Sequence, residues 1–310
     1  MKKVFLSLIV IAIVAITAIS LVACNNATPQ GQLENLLNDH NHEEFSYVVY
    51  AKNKATGARL EGYEGTYVVK LDAYDAGSTV QNFGNGELQN VSRGVLVTGL
   101  LTVGEGEGQT VYKTGCYFNI INGSSYMVPH ASYRVQTVGG VEKFRLQADY
   151  SDGKNFNYVR WIDGVQSSGT VGFKGTCYFD NNEFHQSLRT LSTFSNSMSF
   201  SFAMPLVSAN EARSVNLTAS ISETVKIKND FTANNPTYAE NGIECYKTVI
   251  SRAGEEVAGM SQTLYYAVSA VSYNGWNLKN ILVKIEEPFK LDGEVYEMTY
   301  ELTTDGAKLS

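Results

Sequence analysis

The chain has 310 residues, of which 18% are charged, 44% hydrophobic and 11% aromatic, with 4 Cys and a formal net charge of −7. So high an aromatic content excludes a disordered chain, and four cysteines are too sparse for a disulfide-stapled scaffold. An acidic balance lacks the basic footprint that phosphate binding needs, so no nucleic-acid partner is expected.

Lys2 and Lys3 open the chain, followed by an apolar run from Val4 to Ala23 that only Ser7, Thr17 and Ser20 interrupt. A positive start, an apolar centre and small residues before the cut define a secretory signal peptide, here residues 1–23. The run ends in Leu21-Val22-Ala23-Cys24, which resembles the lipobox of bacterial lipoproteins. That resemblance implies cleavage before Cys24 and diacylglycerol on its sulfur. The chain would then be extracytoplasmic, with a bacterial cell membrane as its partner through the lipidated cysteine. The alternative is an uncleaved membrane helix, because twenty residues at about 1.5 Å each span roughly 30 Å. Both readings leave the rest of the chain outside the cytoplasm. Losing Lys2 and Lys3 with the leader takes the net charge from −7 to −9.

Residues 24–32 form the lipidated cysteine and a short polar tether. Leu33, Leu36 and Leu37 then fall at i, i+3 and i+4, which predicts one short amphipathic helix ending near His40. Beyond it, period two dominates. Phe45, Tyr47 and Val49 alternate with Ser46, Val48 and Tyr50, and Tyr67, Val69 and Leu71 form a second such set. Gly104 to Gly108 separates Val95–Val103 from Thr110–Ile121 as a hairpin tip. The longest alternation runs from Val215 to Lys228, and only Glu223 breaks its apolar phase. Tyr296, Met298, Tyr300 and Leu302 alternate with Glu297, Thr299, Glu301 and Thr303 near the end. Strict alternation places one face in a core and one in water, which favours antiparallel sheet.

Asn-Gly or Asp-Gly pairs at Asn85, Asn122, Asp152, Asp163, Asn241, Asn274 and Asp292 predict tight turns. Helix is scarce. Phe184, Leu188 and Leu191 mark one internal helix from Asn182 to about Leu191, before a run of Met198, Phe200, Phe202 and Met204 that Pro205 is expected to end. The fold class is therefore mainly β (α+β): a large antiparallel, strongly curved sheet or half-barrel with one or two short helices. Residues 33–310 read as a single β-rich domain. Two β domains divided near 160–205 remain the alternative, kept open by the likeness of Tyr112–Asn119 to Phe173–Asp180.

Candidate chemistry is thin. Cys116, Cys177 and Cys245 leave an odd number besides Cys24, so at most one bridge forms within the chain. Buried thiols are the main reading and a Cys116–Cys177 pair is the rival. His40 and His42 flank Asn41 in an acidic connection, but no second ligand cluster follows, so no metal is assigned. No cofactor is expected either. Asp149, Asp163 and Glu183 are carboxylates that could pair for glycoside hydrolysis only at a defined separation in space. The Gly104–Gly108 loop carries two Glu and no following Lys, which would repel phosphate. No catalytic residue is assigned, and Cys24 is the only site residue. The aromatic pairs Tyr117-Phe118, Tyr178-Phe179 and Tyr265-Tyr266 must point to opposite faces of their strands. Either both faces are covered, or one lines a cavity or a binding surface.

The order of elements, including Gly259–Tyr266 and Asn280–Ile285, resembles the half-barrel of bacterial lipoprotein carriers and related envelope lipid-carrying lipoproteins. That resemblance implies a concave apolar face holding acyl chains beneath a helical lid, without bond chemistry. The expected function is a membrane-anchored, non-catalytic binding module for a lipid or other apolar ligand. A structural or adhesive lipoprotein with a packed core is the alternative, and a hydrolase is the weakest.

Overall fold

The computed structural model describes residues 41–120, 127–150, 153–173, 178–180, 184–189, 198–252, 261–273 and 276–309. Cys24, the leader, the tether and the helix at Leu33–Leu37 lie outside these residues, as do Cys177, Glu183 and the Asn122 and Asn274 turns.

Eighteen strands are present among the described residues. The first ten are β1 (His42–Asn53), β2 (Arg59–Tyr74), β3 (Val80–Phe83), β4 (Gly86–Leu88), β5 (Gly94–Val103), β6 (Thr110–Ile120), β7 (Met127–Val138), β8 (Val141–Asp149), β9 (Asn155–Ile162) and β10 (Val165–Gly172). Helix α1 (Phe184–Leu188) follows, then β11 (Ser199–Val207), β12 (Ala212–Ile227), helix α2 (Asp230–Ala233), β13 (Ile243–Arg252) and β14 (Gln262–Ala267). The chain ends with β15 (Val271–Tyr273), β16 (Trp276–Leu278), β17 (Leu282–Leu291) and β18 (Glu294–Leu309).

Fourteen of the strands make one antiparallel sheet in the order β10-β9-β8-β7-β6-β5-β2-β1-β18-β17-β14-β13-β12-β11. Open twisted sheets rarely pass about ten strands without curling, and this one curls until its edges meet. Residues 170–172 of β10 lie beside residues 212–216 of β12. Arg160 on β9 donates to the carbonyls of Ser208 and Glu211 in the β11–β12 turn. Tyr178 forms a parallel bridge with Ala203, and the Phe179 amide donates to the Ala203 carbonyl at 3.0 Å. These contacts satisfy part of the exposed edge of β11, which would otherwise present unpaired backbone groups. The sheet is a nearly closed, barrel-like spiral, as the curved-sheet expectation required. The passage between its two edge strands falls within residues 160–205.

Local chemistry explains the turns. At β9–β10, Asp163 and Gly164 have φ of 45° and 83°, and at β17–β18, Asp292 and Gly293 have 51° and 86°. Two consecutive residues at positive φ match the twist of a tight hairpin. Asn241-Gly242 differs: it leads into β13 at the end of the long α2 connection from β12 and is not a two-residue hairpin turn. Pro205 does not end its strand. It lies within β11, an edge strand, where the missing N–H costs no ladder bond.

The long alternation in β12 holds from Val215 to Ile221, whose side chains are buried. A bulge against β13 then lies between Ile221 and Glu223. The extra residue re-aims the strand, and Glu223 points outward to Lys247 at 2.7 Å. The polar phase of β18 is not solvated throughout, because Thr299 and Glu297 are buried, and Glu297 is held by Lys52 at 3.0 Å.

Candidate functional site

Antiparallel pairing alternates the connections between the two ends of the barrel, and the β1–β2, β5–β6, β7–β8, β9–β10, β11–β12, β13–β14 and β17–β18 connections share one end, here the upper end. The connections carrying α1, α2, β3–β4 and β15–β16 all fall at the lower end. Most of the barrel interior at the lower end is filled. Phe45, Tyr47, Leu71, Val97, Cys116, Phe118 and Leu282 pack there around Phe184 and Leu188 of α1.

A buried ion pair fixes α1 in place. Arg189 donates to Glu43 at 2.9 Å, both side chains being 1% exposed. The same guanidinium donates to Gln186 Oε1 at 2.9 Å and lies 4.9 Å over the Phe45 ring. Tyr266 of β14 donates to the His185 carbonyl at 2.7 Å. Asn280 donates to the Arg189 carbonyl at 3.1 Å. So short a helix has little intrinsic stability; these side-chain bonds hold it.

Above α1 the interior is open, with a cavity of about 660 Å³. Its wall draws on ten strands and α1. The apolar part includes Leu101, Val103, Met204, Leu206, Val215, Leu217, Ile250, Ile285 and Met298. Aromatic rings form one side: Tyr63 stacks on Phe289 at 5.8 Å, and Tyr67 meets Tyr300 edge-on at 5.7 Å. The volume lies within the usual range of small-molecule sites, about 300–1,000 Å³.

A few polar groups interrupt this wall. Arg134 on β7 donates to the Val207 carbonyl and lies 4.9 Å over the Phe144 ring, within the field of Asp180. His185 accepts from or donates to Gln262 at 2.9 Å. Burial lowers its imidazole to about 4 although the Gln262 bond acts the other way, so the ring is neutral. Glu287 on β17 has accessible surface, and that surface faces the cavity. Protein surrounds the carboxyl, and the loss of solvation raises its pKa above the usual 4.5, opposed by the Tyr300 hydroxyl donating at 3.3 Å.

The adjacent aromatics divide as strand geometry requires. Phe118 is in the core, while Tyr117 is on the outer face under the β3–β4 hairpin with Val80, Phe83 and Leu96. Tyr266 reaches α1, while Tyr265 turns outward to Glu286 at 2.7 Å. So both faces are covered at the lower end, and rings line a cavity at the upper end. A second recess of about 660 Å³ lies on the outer face between the β3–β4 hairpin and β7–β10. It is a groove between surface elements and not part of the barrel interior.

The other residues singled out in the sequence do not assemble a site. Asp163 sits at the β9–β10 turn with Lys143 at 3.0 Å. Asp149 is at the opposite end of β8 from Lys143, six residues or roughly 20 Å along the strand. His42 bonds Asp72 at 2.6 Å. Cys245 is a buried free thiol, which burial pushes up to about 12. Cys116 is buried in the core. Among the described residues no group of three His, Cys, Asp or Glu is placed to hold a metal. Glu287, His185 and Arg134 escaped the sequence reading. Glu287 had a signal, since it occupies the same strand phase as Ile285 and Phe289.

No protein-family model matches the chain, and no curated protein matches it. Among solved structures it is similar to a β-barrel-like protein of the domain of unknown function DUF1849 from Brucella abortus. The identity is 12% over 87% of this chain and 98% of that one, with a TM-score of 0.47. A porin-like protein from Bacteroides uniformis matches at 12% identity over 85% of this chain and 96% of that one, with a TM-score of 0.18.

Proposed function

We propose that the chain is an extracytoplasmic lipoprotein, held to a bacterial cell membrane by lipidated Cys24, that binds a lipid or other apolar ligand without catalysing a reaction. The cavity of about 660 Å³ inside the barrel carries this reading. Aliphatic and aromatic side chains dominate its wall, and its few polar groups are the arrangement that orients a ligand within an apolar site. Binding is driven by removal of apolar surface from water, at about 0.8 kcal/mol for each methylene buried. The anchor keeps the barrel near the membrane from which such a ligand would come.

Native mass spectrometry of the full chain released from detergent micelles tests the reading. The expected result is one retained amphiphile per chain, or uptake of an added long-chain alcohol at that stoichiometry. Ligand-free protein that takes up no added alcohol would leave a structural or adhesive lipoprotein. Cys24→Ala tests the anchor: the variant is expected to lose its lipid mass, and an unchanged membrane-bound product would make the apolar run itself the anchor.

A further inference from the structure

Four half-buried or buried glutamates of this barrel share a pattern, a cation in direct contact. Glu43 has Arg189 at 2.9 Å, Glu44 has Lys70 and Lys308 at 2.7 Å, Glu297 has Lys52 at 3.0 Å, and Glu286 has Lys284 at 2.6 Å. Glu287 departs from it. It points into the cavity, where the neutral Tyr300 hydroxyl donates to it at 3.3 Å. Among the described residues no Lys, Arg or His forms a salt bridge with it. Glu287 is exposed to the cavity, so its charge is presented to whatever enters, where a charge-assisted contact is stronger than a neutral one.

The surroundings of Glu287 suit one kind of partner. Tyr63, Tyr67, Phe289 and Tyr300 line the same side of the cavity, and aromatic faces attract organic cations, quaternary ammonium above all. Aliphatic side chains line the opposite wall. Arg134 is already committed to Val207, Phe144 and the field of Asp180 at the seam. Resting on the proposed cavity function, we propose that Glu287 and the aromatic side chains beside it recognise a cationic nitrogen on the ligand, so that the cavity selects amphiphiles with an apolar chain and an ammonium head.

Proton linkage follows. The other titratable groups on the cavity wall are Tyr63 and Tyr67 of β2, Tyr112 of β6, Arg134 of β7, His185 of α1, Arg252 of β13 and Tyr300 of β18. His185 is neutral down to about pH 4. The surrounding protein raises the Glu287 carboxyl above its usual value, so lowering the pH removes its charge sooner than that of a free carboxylate and cation uptake is expected to fall with it.

The test uses the full chain in non-ionic detergent with three probes of equal chain length: dodecyltrimethylammonium, dodecanol and dodecanoate. Bound populations are read by native mass spectrometry for the wild type and Glu287→Gln, which keeps an oxygen to accept from Tyr300. Exposed acids are the same in both proteins, so non-specific attraction cancels. The expected result is a preference for the ammonium over the alcohol that falls about tenfold or more in the variant, in line with a charge-assisted contact. Dodecanol bound to the same protein is the reference for each ratio, so any general change in cavity binding divides out. A second measurement needs no variant: wild-type uptake of the ammonium, whose charge is fixed, is expected to fall as pH is lowered while dodecanol uptake stays flat. Dodecanol binding with no preference for the ammonium, a preference for dodecanoate, or pH-independent uptake would overturn the Glu287 assignment and leave the apolar cavity standing. Failure of all three probes to bind would overturn both.

Discussion

Replacing Arg189 tests how the floor of the cavity is built. Its guanidinium and the Glu43 carboxylate meet at 2.9 Å, with 1% exposure on each side chain. Arg189→Met keeps much of the aliphatic stem and removes the guanidinium that Glu43 meets at 2.9 Å. Breaking a buried pair from one side costs about 3–5 kcal/mol, and the lost stacking on Phe45 adds about 0.5–2 kcal/mol. Domains of ordinary stability have about 5–15 kcal/mol in total, so the loss is a large share. Urea unfolding followed by far-ultraviolet circular dichroism reads it as a lower midpoint. The double variant Glu43→Gln, Arg189→Met removes both charges and should recover most of the loss. A single variant within about 1 kcal/mol of wild type, the value of an exposed pair, would show that water reaches this pair and that α1 is not held as described. Because Phe184 and His185 of α1 line the cavity, the single variant should also lose ligand uptake.

Other consequences are as direct. Ile250→Trp puts an indole into the cavity from β13, so amphiphile occupancy should drop sharply in native mass spectra while the unfolding midpoint changes little. His185 has a folded pKa of about 4 against 6.5 unfolded. The unfolded chain therefore binds more protons in that window, and stability is full above about pH 6.5 and lost as pH falls towards 4. Urea midpoints across this range should rise with pH, and His185→Gln should flatten the slope. At Gly94, a Cβ would lie 2.0 Å from the Phe118 carbonyl oxygen. Gly94→Ala must therefore shift backbone, and a loss above about 2 kcal/mol is expected by urea titration.

Much of the fold was legible because one signal repeats. Period-two patterning in β1, β2, β12 and β18, with Asp-Gly turns that supply positive φ, is enough to specify antiparallel hairpins. It does not say where the sheet closes. Closure depends on Arg160 reaching the β11–β12 turn and on Tyr178 and Phe179 crossing to β11, contacts between residues far apart in sequence. Pro205 shows the same limit, since its tolerance depends on β11 being an edge. The cavity was half legible. Paired aromatics required that both faces be covered or one be lined, and the structure does the first at the lower end and the second at the upper. Glu287 could have been noticed as an acid in an apolar phase. Arg134 could not, because β7 carries polar residues in both phases, and only the register places it at the seam.

The central claim, that the barrel interior receives an apolar ligand, is tested most directly by a crystal structure of the full chain with a long-chain alcohol brominated at its end. Anomalous scattering from bromine should appear inside the barrel, between Tyr67 and Leu217 on opposite sides of the cavity. Bromine density confined to the outer groove beside Phe83 and Leu88, with the interior filled by repacked side chains, would contradict it.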